Sequence, residues 1–166
     1  TAERTPKAMF LGERVRNTDG RRGAYAFEAY GDVRRDVSAV ADGLRGLLGV
    51  FSREAAVGTA QARVGIFSAN RPEWTLSLLS LWTNRCVCVP LYDSLGRDAV
   101  SFILRQSELE TVLLERSKLE ATLSAFDASI HALKRIVLFE EKTERDAALC
   151  EAKGLSLHSL GDLREA

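Results

Sequence analysis

The sequence predicts an α/β fold whose mostly parallel sheet is covered by helices on both faces. Three observations lead there. The runs Arg63–Phe67 (RVGIF), Thr111–Leu114 (TVLL) and 135–139 (RIVLF) are short and almost wholly apolar, as strands buried on both faces are. Segments with helical spacing of apolar residues stand between them. The connections are short, and with 3 prolines and no Gly/Ser-rich linker nothing splits the 166 residues into separate domains. Parallel strands joined through helices require right-handed crossovers.

In chain order, residues 24–28 alternate Tyr25 and Phe27 with Ala26 and Glu28, the period of a strand. Val33, Val37, Val40, Leu44 and Leu47 or Leu48 then recur at helical spacing, with Asp32 in the first turn and Gly49 as the stop. Residues 51–62 (FSREAAVGTAQA) are small and polar and read as a surface insertion. The single domain thus has an opening part, 1–62, and an alternating part, 63–166. After the 63–67 strand and a turn over 68–71, Pro72 and Glu73 open a helix. Its Trp74, Leu78, Leu81 and Trp82 share a face and Leu76 and Leu79 lie elsewhere, which predicts burial nearly all round. A strand over 86–92 (CVCVPLY) follows, and Pro90 predicts that it loosens by losing a ladder donor. Next come a helix over 98–108 and the 111–114 strand. Ser117 and Glu120 have capping-box spacing on a helix carrying Leu119, Leu123 and Phe126. The 135–139 strand, a helix over 143–153 stopped by Gly154, a strand over 155–158 and Ser159 as the N-cap of a last helix complete the order.

Composition narrows the function classes. Lys+Arg is 23 and Asp+Glu is 23, without a basic block, which argues against a nucleic-acid partner. No stretch reaches the roughly 18 apolar residues of a membrane span, and the first residues lack a signal-peptide pattern. Cys86, Cys88 and Cys150 are an odd number without secretory signs, which fits a reducing, intracellular setting. The first residue is Thr rather than Met, so a chain processed or cut from something longer is expected.

Ligands of open parallel sheets sit beyond the carboxyl ends of the strands. That rule selects Ser68-Ala69-Asn70-Arg71 after one strand and Tyr92-Asp93-Ser94-Leu95-Gly96 after the next. Asn70, Arg71, Tyr92, Asp93 and Ser94 are therefore the candidate substrate-binding residues by position. The same residues serve equally well as caps and turns, with Gly96 supplying a conformation closed to other residues. Both readings stand.

No catalytic residue and no metal ligand is assigned. Gly43, Gly46 and Gly49 lie on a helix, outside the context of a phosphate fingerprint, and fit close packing and a helix end. Cys86 and Cys88 share a strand face but lack further ligands, and His131 and His158 have no ligand spacing. There is no G-x-S-x-G elbow. Arg21 and Arg22 beside Gly20 and Gly23 read as a solvated basic turn.

The run RVGIFSANRPEW followed by VPLYDSLGRDAVSFIL resembles the N-terminal part of eukaryotic-type long-chain acyl-CoA synthetases, of the adenylate-forming (ANL) superfamily. LGERVR, AYGDVRRDVSAVADGLRGLLG, LKRIVLF and AKGLSLHSLGDL extend the resemblance over 10–163. It implies part of a ligase that activates a fatty acid with ATP and Mg²⁺ as an acyl-adenylate, then passes the acyl group to coenzyme A. The family's phosphate loop and C-terminal catalytic lysine have no counterpart in these residues. The resemblance therefore implies a subdomain that is inactive alone and has no cofactor of its own. Its partners would be the remainder of the synthetase chain, with fatty acid, ATP and CoA binding the parent.

An exposed apolar face would let the isolated fragment self-associate. The family also implies a cytoplasmic location or the periphery of endoplasmic reticulum or peroxisomal membranes. Two departures stand out. Ala29 replaces the usual Ser or Thr before the first helix, losing a cap of about 0.5–2 kcal/mol, and the segment before RVGIF is longer than usual. The rival readings are a non-catalytic α/β binding or interaction module and a complete small flavodoxin-like enzyme, the latter lacking its phosphate fingerprint.

Overall fold

The computed structural model describes residues 2–16, 18, 21–50 and 61–166. The surface insertion expected at 51–62 lies almost wholly outside the described residues, as does part of the basic turn around Arg21. The chain opens with an antiparallel hairpin of β1 (Met9–Arg16) and β2 (Arg22–Ala29). β2 extends the predicted 24–28 strand. β1 is not legible in the sequence, because a register shift between Met9 and Leu11 makes Phe10 an extra residue and breaks the period of two. Phe10 instead stacks on Tyr30, with ring centroids 4.4 Å apart.

α1 (Tyr30–Gly46) starts at Ala29, which makes no side-chain cap. The backbone substitutes: Tyr30 N–H donates to the Ala8 carbonyl at 2.9 Å and Gly31 N–H to the Pro6 carbonyl at 2.8 Å. Val33, Val40, Ala41, Gly43 and Leu44 form its buried stripe. The helix closes where expected. Gly49 has φ +64° and donates to Arg45, and Val50 N–H reaches back to the Leu44 carbonyl at 2.7 Å.

The alternating part gives β3 (Arg63–Phe67), α2 (Pro72–Thr83), β4 (Val87–Leu91), α3 (Arg97–Gln106), β5 (Thr111–Leu114), α4 (Leu119–Ala125), β6 (Arg135–Leu138), α5 (Glu144–Glu151), β7 (Ser156–Ser159) and α6 (Leu160–Glu165). The five strands form one parallel sheet in the order β4-β3-β5-β6-β7. Residues 111–114 are buried on both faces, as an apolar central strand should be. On one face Val112 and Leu114 meet Val100 and Leu104 of α3, Leu119 and Leu123 of α4, and Cys150 of α5. On the other, Leu113 meets Val40 and Leu44 of α1, Leu76 and Leu81 of α2, and Leu160 and Leu163 of α6.

Four local expectations are corrected. The buried stripe of α2 is Leu76, Ser77, Ser80 and Leu81, while Trp82 is 59% exposed and Trp74 only half-buried. Two serines carry that stripe, so hydropathy passes over it; Ser80 Oγ donates to the carbonyls of Leu76 and Val37. Ser117 forms no capping box: its hydroxyl donates to Glu115, residues 116–118 form a 3₁₀ turn, and α4 has no side-chain cap.

The remaining two lie on β4 and the loop beyond it. Pro90 does not loosen β4, which stays in register from Arg63↔Val87 to Phe67↔Leu91. Val87 N–H donates inward to Ala62, so by alternation the Pro90 nitrogen faces the free edge, where no ladder donor is lost. Gly96 has φ −77° as the N-cap of α3, an ordinary conformation for any residue.

Candidate functional site

The sheet order decides where a ligand crevice belongs. From β3 the chain goes to β4 on one side and returns to β5 on the other, so the loops diverge beyond the carboxyl ends of β3 and β5. This is the switch point of an open, doubly wound sheet. The β3–α2 loop brings Asn70 and Arg71 to it, and the exit of β5 brings Glu115 and Arg116. β4 is an edge strand, so Tyr92, Asp93 and Ser94 lie to one side, all exposed. Asp93 contributes only its carbonyl, which accepts from Lys118 Nζ at 2.9 Å. The sequence rule thus selects loops at the carboxyl end of the sheet, but the topology separates the candidates it gathers.

Arg71 is the centre of the arrangement. Its Nε and Nη2 donate to the two oxygens of Glu73 at 2.7 and 3.0 Å, and its Nη1 donates to Glu140 Oε1 at 2.5 Å. Glu115 Oε2 lies 4.0 Å away, and the guanidinium sits over the Phe139 ring at 5.4 Å. The Glu73 hydrogen bonds raise the Arg71 pKa above its ordinary value against the opposing effect of burial, with Glu140 adding to the rise. Burial works to raise the Glu73 pKa, and the Arg71 hydrogen bonds outweigh it and hold the carboxyl below its usual range.

The second oxygen of Glu140 accepts the Arg116 N–H at 2.8 Å. Arg116 in turn donates from Nε to Asp146 Oδ2 at 3.0 Å and from Nη2 to the Glu141 carbonyl. Asp146 also caps α5 through a capping box with Thr143. Burial tends to raise the Asp146 pKa, but the Thr143 hydrogen bonds and Arg116 bring it below normal.

Charges of alternating sign thus bind together the loops after β3, β5 and β6. Glu115, Arg116, Glu140 and Asp146 do not stand out in the sequence as site residues. The signal that could have found them is an acidic residue directly after TVLL and another directly after RIVLF.

A cleft of about 600 Å³ runs from this switch point to the hairpin. Ala69, Asn70, Arg71 and Thr75 line one wall, Gly12, Arg14, Arg22 and Tyr25 the other, with Glu115 between. Arg14 is held by the carbonyls of Arg22 and Gly23, and Arg71 is committed to carboxylates. These residues do not fit a nucleoside triphosphate with its metal. The switch-point guanidinium is already saturated, and no group of three or more His, Cys, Asp or Glu among the described residues is placed to hold a metal ion.

The remaining groups singled out from sequence have structural partners or inert settings. His131 Nδ1 accepts the Asp127 N–H at 2.9 Å while Nε2 lies 3.0 Å from the Ser101 carbonyl. Burial pushes the Cys88 and Cys150 thiols up to about 11, away from thiolate chemistry. Desolvation lowers the pKa of half-buried His158 in β7. Gly43 lies against the Leu163 backbone, which confirms close packing.

The class that this architecture defines is an open, doubly wound α/β domain. A family model described as AMP-binding enzyme matches residues 2–160. The chain belongs to that family. It is 31% identical over 159 residues to long chain acyl-CoA synthetase 4 of Arabidopsis thaliana, covering 96% of this chain and 22% of that protein. It is 35% identical over 101 residues to long-chain-fatty-acid–CoA ligase 5 of Mus musculus, covering 57% of this chain and 15% of that one.

Among solved structures, a long-chain-fatty-acid-CoA ligase from Archaeoglobus fulgidus superposes with TM-score 0.69 at 14% identity, over 99% of this chain and 28% of that one. A mutant coronafacic acid ligase from Pectobacterium brasiliense gives TM-score 0.71 at 15% identity, over 99% and 27%. The likeness to these structures concerns the fold. The chain spans roughly a fifth of the length of the curated relatives it matches, 22% for the Arabidopsis protein.

Proposed function

We propose that this chain forms the N-terminal subdomain of an AMP-forming long-chain fatty-acid:CoA ligase. The observation that carries the reading is the family match over residues 2–160 combined with 31% identity to a long chain acyl-CoA synthetase over 96% of the chain. In this reading the whole enzyme uses ATP, Mg²⁺ and coenzyme A, and this chain contributes the sheet and loops against which the remaining polypeptide folds. The saturated Arg71 cluster supports a scaffolding role for the switch point rather than phosphate binding. In this reading the candidates to meet substrate from this side are Asn70 at the switch point and, to one side of it, Tyr92, Asp93 and Ser94, all exposed. An intracellular setting, in the cytoplasm or at the periphery of endoplasmic reticulum or peroxisomal membranes, belongs to the same reading and is supported by the sparse cysteines.

The test is pyrophosphate release with palmitate, ATP and Mg²⁺. A longer polypeptide carrying this chain should turn over and the 166-residue chain alone should not. Turnover by the chain alone, or none by the longer polypeptide with any fatty acid, would contradict the proposal.

A further inference from the structure

The loop that leaves β4 is held from beyond the neighbouring strand. β4 is an edge strand, so the residues after Leu91 have a strand beside them on one side alone. A turn bond from the Leu95 N–H to the Tyr92 carbonyl at 3.0 Å folds residues 92–95 on themselves, and Leu95 packs against the core at the foot of the loop. Tyr92, Asp93 and Ser94 are all exposed, so packing contributes little to their placement. Among the described residues, one hydrogen bond ties them to another element: Lys118 Nζ donates to the Asp93 carbonyl at 2.9 Å.

Lys118 comes from the other side of β3. It closes the 3₁₀ turn after β5, and the sheet order puts β3 between β5 and β4. To reach Asp93 its side chain crosses the end of β3, where the ammonium stands 5.7 Å from the centroid of the buried Phe67 ring. A lysine with an ordinary surface setting keeps its ammonium in water, whereas only 20% of this side chain is exposed. Glu115 Oε1 lies 3.9 Å from the ammonium and Glu115 Oε2 lies 4.0 Å from Arg71. A continuous path of polar contacts thus runs from the loop at the sheet edge, through Lys118 and Glu115, to the switch point. The cation is matched by a carboxylate and a carbonyl along that path, which suits a tether rather than an anion site.

We propose that Lys118 is a positioning residue: through the Asp93 carbonyl it holds the loop at a fixed place relative to the switch point, and so sets where Tyr92, Asp93 and Ser94 are presented to substrate. That the substrate is one of a fatty-acid:CoA ligase rests on the reading above; the tether does not depend on it. Lys118 acts here through the backbone of another residue and needs no contact with substrate itself.

Lys118→Met keeps the stem over Phe67 and removes the donor. In the 166-residue chain, hydrogen exchange followed by NMR reads the Leu95 amide, whose bond to Tyr92 closes the loop. That amide should exchange roughly 3- to 10-fold faster in Lys118→Met, the factor one net hydrogen bond represents, while the amide of Val112 in the central strand exchanges as before. Lys118→Arg retains a cationic donor and should restore most of the protection. Lys134→Met, the same change at the amino end of the sheet, should leave Leu95 unaltered. In a longer polypeptide carrying this chain, Lys118→Met should raise KM for at least one of fatty acid, ATP and CoA several-fold with kcat within about twofold, and Lys118→Arg should bring it back. Unchanged Leu95 exchange in Lys118→Met, a rise shared equally by Val112, or unchanged KM values in an active Lys118→Met enzyme would each overturn the proposal. A wild-type longer polypeptide that makes no acyl-CoA would remove the ligase reading alone, and exchange at Leu95 would decide the tether without it.

Discussion

The guanidinium of Arg71 and the carboxylate of Glu140 meet at 2.5 Å although 69 residues separate them in sequence. That bond joins the loop after β3 to the loop after β6 across the end of β5, and the second Glu140 oxygen holds the Arg116 backbone. Three strand exits are thereby fixed to one another. Both side chains are partly buried, so the pair is screened less than a surface ion pair.

Arg71→Ala should therefore cost about 1–3 kcal/mol, because Glu73 and Glu140 lose a charged hydrogen-bond donor in a partly desolvated place. Arg71→Lys keeps the charge but not the fork, and should recover only part of the loss. Urea denaturation followed by circular dichroism measures both. Wild-type stability for Arg71→Ala would mean that the cluster contributes nothing to folding.

Stability should fall in acid through the same residues. Burial acts to raise both carboxyls, but hydrogen bonds from Arg71 to Glu73, and from Thr143 and Arg116 to Asp146, outweigh it and leave their folded values below the usual 4.5 and 3.8. A carboxyl depressed in the folded state stabilises it above the unfolded value and loses that contribution as pH falls through the folded one. The thermal midpoint should hold from neutrality to about pH 5 and drop below it. Glu73→Gln should lower the plateau and flatten the drop. An unchanged acid limb in that variant would remove Glu73 from the explanation.

The capping boxes present a sharper contrast. Thr143 accepts the Asp146 N–H at 3.2 Å and the Asp146 carboxylate accepts the Thr143 N–H at 3.0 Å. Thr143→Ala should cost about 0.5–2 kcal/mol. Ser117 caps no helix, is exposed and bonds only Glu115, so Ser117→Ala should stay within about 0.5 kcal/mol. Equal losses in the two variants would contradict the assignment of the caps.

These cases also mark what the sequence could carry. Apolar runs disclosed four of the five parallel strands, while β7 and the residue before it show only Leu155 and Leu157 alternating with polar residues; Gly49 and Gly154 disclosed two helix ends, since φ values of +64° and +70° favour glycine. The Ser117 spacing misleads because a capping box is a local pattern that tertiary packing can override: β5 leads into a 3₁₀ turn before α4 begins. The order of strands across the sheet is not legible at all. With β4 at the edge, Tyr92, Asp93 and Ser94 move away from Asn70 and Arg71, and Glu115 and Glu140 take the places beside Arg71. No spacing rule reaches that result, because it depends on which side of β3 each crossover falls. The β1 strand is lost to a single extra residue, Phe10.

Two glycines, Gly43 within α1 and Gly96 at the N-cap of α3, should behave in opposite ways. Gly43 lies on α1 with the Leu163 backbone carbonyl of α6 occupying the space where a Cβ would stand. The colliding atom is backbone, so α6 must shift to admit even one methyl group. Gly43→Ala should cost about 1–3 kcal/mol, the range for overpacking a tight contact, although alanine favours a helix more than glycine. Gly96 has φ −77°, and a Cβ there would meet nothing within 4 Å. It stands at the N-cap of α3 without a side chain to accept the first amides. Gly96→Ser should leave the fold intact and raise stability by about a few tenths of a kcal/mol, because serine supplies the missing acceptor. Denaturant midpoints of the two variants decide the matter. A destabilised Gly96→Ser would show that the turn after Tyr92 needs glycine for a reason other than backbone conformation, and a neutral Gly43→Ala would show that α1 and α6 are free to separate.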